Sequence, residues 1–193
     1  MAAASNAIMV IFWIVYMVVI LGLSGYTYVF QALALQAVAK RRQIEKPWLA
    51  WVPVGNMWLL GCISDQYQYV VNGKERNFRK LLLWLMIGMY IALVPLYGLE
   101  IIAIVMAEVV TEAAIVMLVL MVILALIILA AAVFASVIQY MAIYDYYRSC
   151  DPSKAVLFLI LSIVVPAAYP ILLFIVRNQD LGMPSKPDEA PAE

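Results

Sequence analysis

The feature that most constrains this chain is an N-terminal stretch, residues 8–29, which contains no charged side chain. An α-helix of these 22 residues would be about 33 Å long at ~1.5 Å per residue, enough to cross the hydrocarbon core of a bilayer. Of the 193 residues 67% are apolar and 12% are charged, whereas soluble domains carry about 25% charged residues. The sequence therefore predicts an all-α integral membrane protein.

Four apolar segments are long enough to be predicted as transmembrane helices: residues 8–30, 81–107, 113–140 and 155–176. No basic residue precedes the first segment, whereas Lys40, Arg41 and Arg42 follow it, so the positive-inside rule predicts an outside N-terminus. The missing basic region ahead of this segment also predicts an uncleaved anchor. Residues 1–176 are expected to form one helical membrane bundle, and the polar residues 177–193 a disordered tail.

The segment Pro47–Tyr69, PWLAWVPVGNMWLLGCISDQYQY, is largely apolar but is interrupted in its middle. Pro53 cannot donate a helical hydrogen bond, and Gly55-Asn56 is typical of a turn. Basic clusters lie on both sides, so both ends are predicted to face the cytoplasm. Residues 47–63 are therefore predicted to form a broken helical segment that either re-enters the membrane or lies at its interface.

Asn56 is predicted to cap a half-helix over residues 57–71, which Asn72-Gly73 would end. The free N–H groups at such a helix start suit an anion or a carboxylate. Discontinuous helices of this kind mark substrate sites in transporters, but they also serve as structural plugs, the interpretation favoured here. Trp58 lies beside the interruption and belongs to this candidate structural or binding site.

The remaining candidate site residues are charged: Asp65, Glu100, Asp145 and Arg148. Asp145 and Arg148 are three positions apart on a predicted helix end, which favours an ion pair between them. The two aspartates could be imagined as a catalytic pair, but the G-x-G-D motif of intramembrane aspartyl proteases is missing. Glu100 lies in an apolar run, where a carboxylate suggests a function, although a position near the outer interface would hydrate it.

Several chemistries are disfavoured by composition. The chain has no histidine, which removes the commonest general base and metal ligand. Gly22-Leu23-Ser24-Gly25 has the form used by rhomboid-type serine proteases, but they need a histidine, so close helix packing is the preferred interpretation. No metal cluster, cofactor motif or nucleic-acid motif is found, and basic and acidic residues both number twelve. The sequence predicts no enzymatic activity, no cofactor and no nucleic-acid partner.

The run Trp51–Gly61, W-V-P-x-x-N-x-W-L-L-G, together with Ile63-Ser64-Asp65-Gln66-Tyr67, resembles a pattern seen in small uncharacterised bacterial membrane proteins. The resemblance covers residues 47–80 and implies a bacterial plasma-membrane location without implying an activity. Besides the lipid bilayer, a membrane-protein partner or a homo-oligomer is expected. Two functions are left open: a scaffold or accessory subunit of a membrane complex, and an oligomeric pathway for ions or small solutes.

Overall fold

The computed structural model describes the backbone of residues 2–107 and 111–184 and the side chains of residues 9–102 and 115–184. Every regular element in these ranges is helical, which confirms the all-α prediction. In chain order the α-helices are α1 (Ala2–Arg41), α2 (Pro53–Asn72), α3 (Phe78–Ala107), α4 (Thr111–Cys150), α5 (Ala155–Val164) and α6 (Tyr169–Val176). Two 3₁₀ helices, Pro47–Trp51 and Pro166–Ala168, precede α2 and α6.

Three helical stretches in the described residues are long and apolar enough to cross a membrane: Met9–Arg41, Phe78–Ile102 and Ile115–Cys150. The fourth predicted span, residues 155–176, is divided between α5 and α6, which have 10 and 8 residues. Pro166 follows the end of α5, where its missing N–H prevents continuation of the same hydrogen-bond ladder. The prediction of four spans is therefore not confirmed.

Helix α2 corrects the predicted interruption at residues 53–56. It is continuous from Pro53 to Asn72, and Val52, in an extended conformation, is its N-cap. Pro53 occupies the first helical position, where its fixed φ and missing N–H are compatible with the helix. The predicted C-terminal end is confirmed, since Gly73 has a φ of 63° and its N–H bonds to the carbonyl of Tyr69 at 3.1 Å.

The chain divides into two compact units, and unit 1 consists of Met1–Trp51 and Tyr147–Glu193. In this unit α1 packs against α6 and against the 3₁₀ helix Pro47–Trp51. The buried side chains of α1 follow helical spacing in its C-terminal part and include Leu35 and Val38. The N-terminal part of α1 is different, because every described side chain from Met9 to Gly25 is exposed.

Unit 2 is the continuous segment Val52–Tyr146. Its main contact is the packing of α2 against α3. Gly61 lies at this contact, where an added Cβ would come 2.5 Å from both the Cα and the backbone N of Arg79. A glycine at position 61 therefore allows the two backbones to approach each other closely.

Residues 151–154 form the turn between α4 and α5. Helix α5 begins at Ala155, and Lys154 is its N-cap residue. Asp151 instead accepts hydrogen bonds from the backbone N–H of Ser153 at 3.1 Å and from its hydroxyl at 2.6 Å. This local turn competes with a helix start, as Asp side chains commonly do.

The predicted disordered tail is partly wrong. The N–H of Leu181 donates to the carbonyl of Cys150 at 3.0 Å, and the N–H of Gly182 donates to the carbonyl of Ser149 at 3.2 Å. These bonds satisfy carbonyls at the end of α4 that have no partner within the helix. Residues 177–182 are thus held by hydrogen bonds, and residues 185–193 lie outside the described residues.

Candidate functional site

The most buried carboxylate described in unit 2 belongs to Asp145, whose residue is 4% exposed. Its Oδ2 accepts a hydrogen bond from the hydroxyl of Ser64 at 2.7 Å, and its Oδ1 accepts one from Nε2 of Gln68 at 2.6 Å. A guanidinium nitrogen of Arg76 lies 3.7 Å from Oδ2. The cost of burying the carboxylate is offset by hydrogen bonds and by a nearby opposite charge.

Helical spacing explains why α2 can supply this site. Ser64 and Gln68 are four residues apart, so their side chains lie on the same face of the helix. Asn72 is one further turn along, and its amide donates to Oε1 of Gln68 at 2.9 Å. The result is a polar ladder of three side chains that ends on the Asp145 carboxylate.

The structure thus gives Asp145 partners that the sequence did not predict. The pairing of Asp145 with Arg148 stays a prediction. Two of the partners are separated from Asp145 by 81 and 77 residues, beyond the reach of any local pattern. The repeated spacing of Ser64, Gln68 and Asn72 on α2 was the available sequence signal. Arg148 itself is exposed at the end of α4.

Asp65, the neighbour of Ser64, has a different role. Its carboxylate accepts hydrogen bonds from the backbone N–H groups of Phe78 at 2.9 Å and Arg79 at 3.2 Å, the first two residues of α3. Burial raises the pKa of the Asp65 carboxyl above its usual value, and the two backbone hydrogen bonds oppose that rise. Asp65 therefore acts as a capping group supplied by another helix.

Unit 1 has its own buried charge at Arg42, whose side chain is 4% exposed. Nε of Arg42 donates to Asp180 at 2.9 Å, and a terminal nitrogen donates to the hydroxyl of Ser149 at 3.0 Å. Arg41 also forms an ion pair with Asp180 and donates to the carbonyl of Gln179 at 2.8 Å. We call Arg41, Arg42, Ser149 and Asp180 the tail clasp, since they fix residues 177–182 to helix ends.

The predicted site around Asn56 is reorganised. Asn56 is the fourth residue of α2 and not its cap, and it is 4% exposed. Its Oδ1 is buried without a hydrogen-bond partner among the described residues. Gly55 is buried, Trp58 is half-buried and Pro53 is exposed. These four residues therefore lie in the first two turns of one helix and do not line a broken segment.

The last of the predicted site residues is Glu100. Glu100 lies on α3 and is exposed, so the structure does not bury it among other polar groups. Cys62 and Cys150 are buried and do not form a disulfide. Neither observation brings these residues into the Asp145 site.

The described side chains contain no group of three or more His, Cys, Asp or Glu that could hold a metal ion. No protein-family model, no curated protein and no solved structure matches this chain. In each of the described clusters an aspartate holds two parts of the chain together. Asp145 joins α2 to α4, Asp65 caps α3, and Asp180 fixes the residues after α6.

Proposed function

We propose that this protein is a non-catalytic scaffold or accessory subunit of a membrane complex, located in a bacterial plasma membrane. The observation that carries the proposal is the exposure of its long apolar helices. None of the residues is buried in the most apolar 18-residue window of Met9–Arg41 or of Ile115–Cys150. Such helices present most of their circumference to lipid and to the helices of other proteins.

Glycines in these helices support a protein partner in addition to lipid. An added Cβ at Gly22 or Gly25 of α1 would meet no described atom within 4 Å, and the same holds for Gly88 and Gly98 of α3. Close packing at Gly22 and Gly25, predicted from sequence, is therefore not satisfied within the described chain. A glycine inside a helix costs about 1 kcal/mol relative to alanine. A partner helix that approaches these positions closely would offset that cost.

The contacts in unit 1 support a topology with three spans. Residues 151–154 directly follow Cys150, and Leu181 returns to the carbonyl of Cys150 at 3.0 Å. Both ends of residues 155–176 thus meet at the end of α4, so α5 and α6 would enter the membrane and return. With the N-terminus outside, residues 177–182 would be cytoplasmic. In this topology the segment that returns is 155–176, in place of a fourth span.

The alternative function is an oligomeric pathway for ions or small solutes. The buried carboxylate of Asp145, with Ser64 and Gln68 at hydrogen-bond distance, is the observation that favours it. Ionisable groups inside membrane proteins often mark ion pathways. The scaffold is preferred because both Asp145 oxygens are already bound to neighbouring side chains and Arg76 balances the charge.

Purification under mild conditions distinguishes the two functions. A scaffold should co-purify with a different membrane protein at fixed stoichiometry, whereas a pathway should purify as a homo-oligomer that conducts ions in liposomes. The double variant Gly22→Leu/Gly25→Leu should release the partner without unfolding the chain, because both positions face open space. Leu21→Ile, at a side chain that is 69% exposed, is the matched control and should keep the partner.

A monomer with no partner, no conductance and no response to the glycine variants would contradict both functions. A photo-crosslinking residue at position 21 refines the scaffold test, because it should link to the co-purifying partner. The same residue at position 34, where Ala34 is fully buried, should yield no link to another protein.

A further inference from the structure

We infer that the loop between α2 and α3 and the first turn of α3 bind the headgroups of anionic phospholipids. The surface consists of Lys74, Arg79 and Lys80, which we call the α3 basic cluster, and all three residues are exposed. None of the three forms an ion pair with a described residue. This contrasts with Arg76 in the same loop, which faces Asp145 at 3.7 Å.

The position of the cluster is unfavourable for the helix itself. The N-terminus of a helix carries a partial positive charge, and cations in its first turn are repelled by it. Arg79 and Lys80 are nevertheless the second and third residues of α3, and no acidic residue occupies that turn. Asp65 offsets part of the charge through the N–H groups of Phe78 and Arg79. A phosphate group beside this turn would offset the remainder.

The residues around the cluster identify the phosphate as that of a lipid. Trp84 follows Lys80 by four residues, so it lies on the same side of α3, and it is 67% exposed. Along the helix axis the two residues are about 6 Å apart. A basic side chain one turn from an exposed tryptophan is the arrangement found where a helix passes from the headgroup layer into the hydrocarbon. Phe78–Ile102 is also one of the three stretches apolar enough to span.

The end of α2 gives a second indication. Tyr69, Val70 and Val71 precede the loop and are 62%, 44% and 43% exposed. Three consecutive exposed apolar residues in the last turn of the helix that precedes a basic loop are unfavourable in water but suit a membrane interface. Glu75 is the one acidic residue in residues 74–80, so cations outnumber acids in this loop. The charge therefore favours phosphatidylglycerol-like lipids over zwitterionic ones.

The test is native mass spectrometry of the detergent-solubilised full chain during titration with phosphatidylglycerol, phosphatidylcholine or inorganic phosphate. The unmodified protein should bind phosphatidylglycerol more tightly than phosphatidylcholine, and phosphate should not compete at equal concentration. Each cation near a membrane surface contributes about fivefold in affinity. Lys74→Gln/Arg79→Gln/Lys80→Gln should therefore weaken phosphatidylglycerol binding on the order of 100-fold.

Two control variants make the result specific. Lys74→Arg/Arg79→Lys/Lys80→Arg keeps the charge and should bind like the unmodified protein. Lys40→Gln/Lys46→Gln/Lys154→Gln removes three charges elsewhere and should retain the preference. Equal binding of both lipids by the unmodified protein would overturn the inference, whatever the variants do. So would full retention of phosphatidylglycerol binding by Lys74→Gln/Arg79→Gln/Lys80→Gln. An equal loss of binding in the distant triple variant, or displacement of the lipid by inorganic phosphate, would overturn it as well.

Discussion

Asp65 on α2 closes the first turn of α3, since its Oδ1 accepts a hydrogen bond from the backbone N–H of Phe78 at 2.9 Å. One turn earlier on α2, Gly61 touches the backbone of the same turn of α3. Gly61 and Asp65, four positions apart on α2, thus both fix the N-terminus of α3: Gly61 allows close backbone contact, and Asp65 accepts the hydrogen bond. This arrangement makes α2 and α3 a single packed hairpin whose stability depends on both positions.

Gly61→Ala should destabilise unit 2. The new Cβ would lie 2.5 Å from backbone atoms of Arg79, and a backbone cannot move aside as a side chain can. We expect a loss of about 1–3 kcal/mol in the free energy of unfolding, measured by thermal unfolding in detergent. Gly88→Ala is the control, because nothing lies within 4 Å of that position. It should be neutral or stabilising by up to about 1 kcal/mol, and equal behaviour of the two variants would contradict the close contact.

Asp65 should make stability depend on pH. Burial raises the pKa of its carboxyl above the usual 3.8, so the folded state holds the proton more tightly than the unfolded state. Stability from this group is therefore greatest below pH 3.8, and it decreases as pH rises through the raised pKa. The measurement is the melting temperature of the unmodified protein and of Asp65→Asn from pH 3.8 upward. As pH rises, the melting temperature of the unmodified protein should fall relative to that of Asp65→Asn.

Asp151 supplies a control of opposite sign. The Ser153 hydroxyl that donates to it holds the pKa of the Asp151 carboxyl below its usual value. Its contribution to stability is present above the unfolded-state pKa and is lost as pH falls through the folded-state pKa. Asp151→Asn should therefore lose less stability than the unmodified protein when the pH is lowered into the acid range. If Asp65→Asn and Asp151→Asn change the pH profile in the same direction, the assignment of Asp65 is wrong.

Asp145→Ala should be among the most destabilising single changes in unit 2. It leaves the Ser64 hydroxyl and the Gln68 amide without their buried acceptor, at about 1–3 kcal/mol for each unsatisfied group. Ser64→Ala should cost about 1 kcal/mol, and a double-mutant cycle should give a coupling of roughly 0.5–3 kcal/mol. Glu100→Ala, at an exposed residue, should stay within about 0.5 kcal/mol. Additive effects of the Asp145 and Ser64 changes would show that the hydrogen bond is not formed.

Asp180→Ala should release residues 177–182. Arg42, whose side chain is 4% exposed, would lose the carboxylate with which it pairs. We expect the free energy of unfolding to decrease by roughly 1–3 kcal/mol. Faster trypsin cleavage after Arg177 is the direct measurement. Asn178→Ala changes an exposed neighbour and should leave the cleavage rate unaltered. An unchanged rate for Asp180→Ala would mean that the tail clasp does not hold this segment.

The long helices could be predicted from sequence because each one consists of an apolar run of membrane-spanning length. Asn56 shows why the start of α2 was predicted wrongly. The residues Pro53, Gly55 and Asn56 are compatible with a turn, but they are equally compatible with a helix that has proline at its first position. The structure starts the helix at Pro53, and Asn56 then falls inside it. Local patterns could not reveal the hydrogen bonds of Asp145 and Asp180 either, because Gln68 and Ser64 are 77 and 81 residues from Asp145, and Arg42 is 138 residues from Asp180.

The tail clasp also has a consequence for the order in which the chain acquires its structure during synthesis. Unit 2 is one continuous segment, Val52–Tyr146, so its contacts can form as soon as that segment has emerged from the ribosome. Unit 1 cannot be completed at that point, because Arg42 pairs with Asp180, which is synthesised 138 residues later. Until residues 169–176 have been synthesised, the buried face of α1 also has no α6 to cover it. The nascent protein therefore passes through a stage at which an insertase or chaperone could bind the C-terminal part of α1.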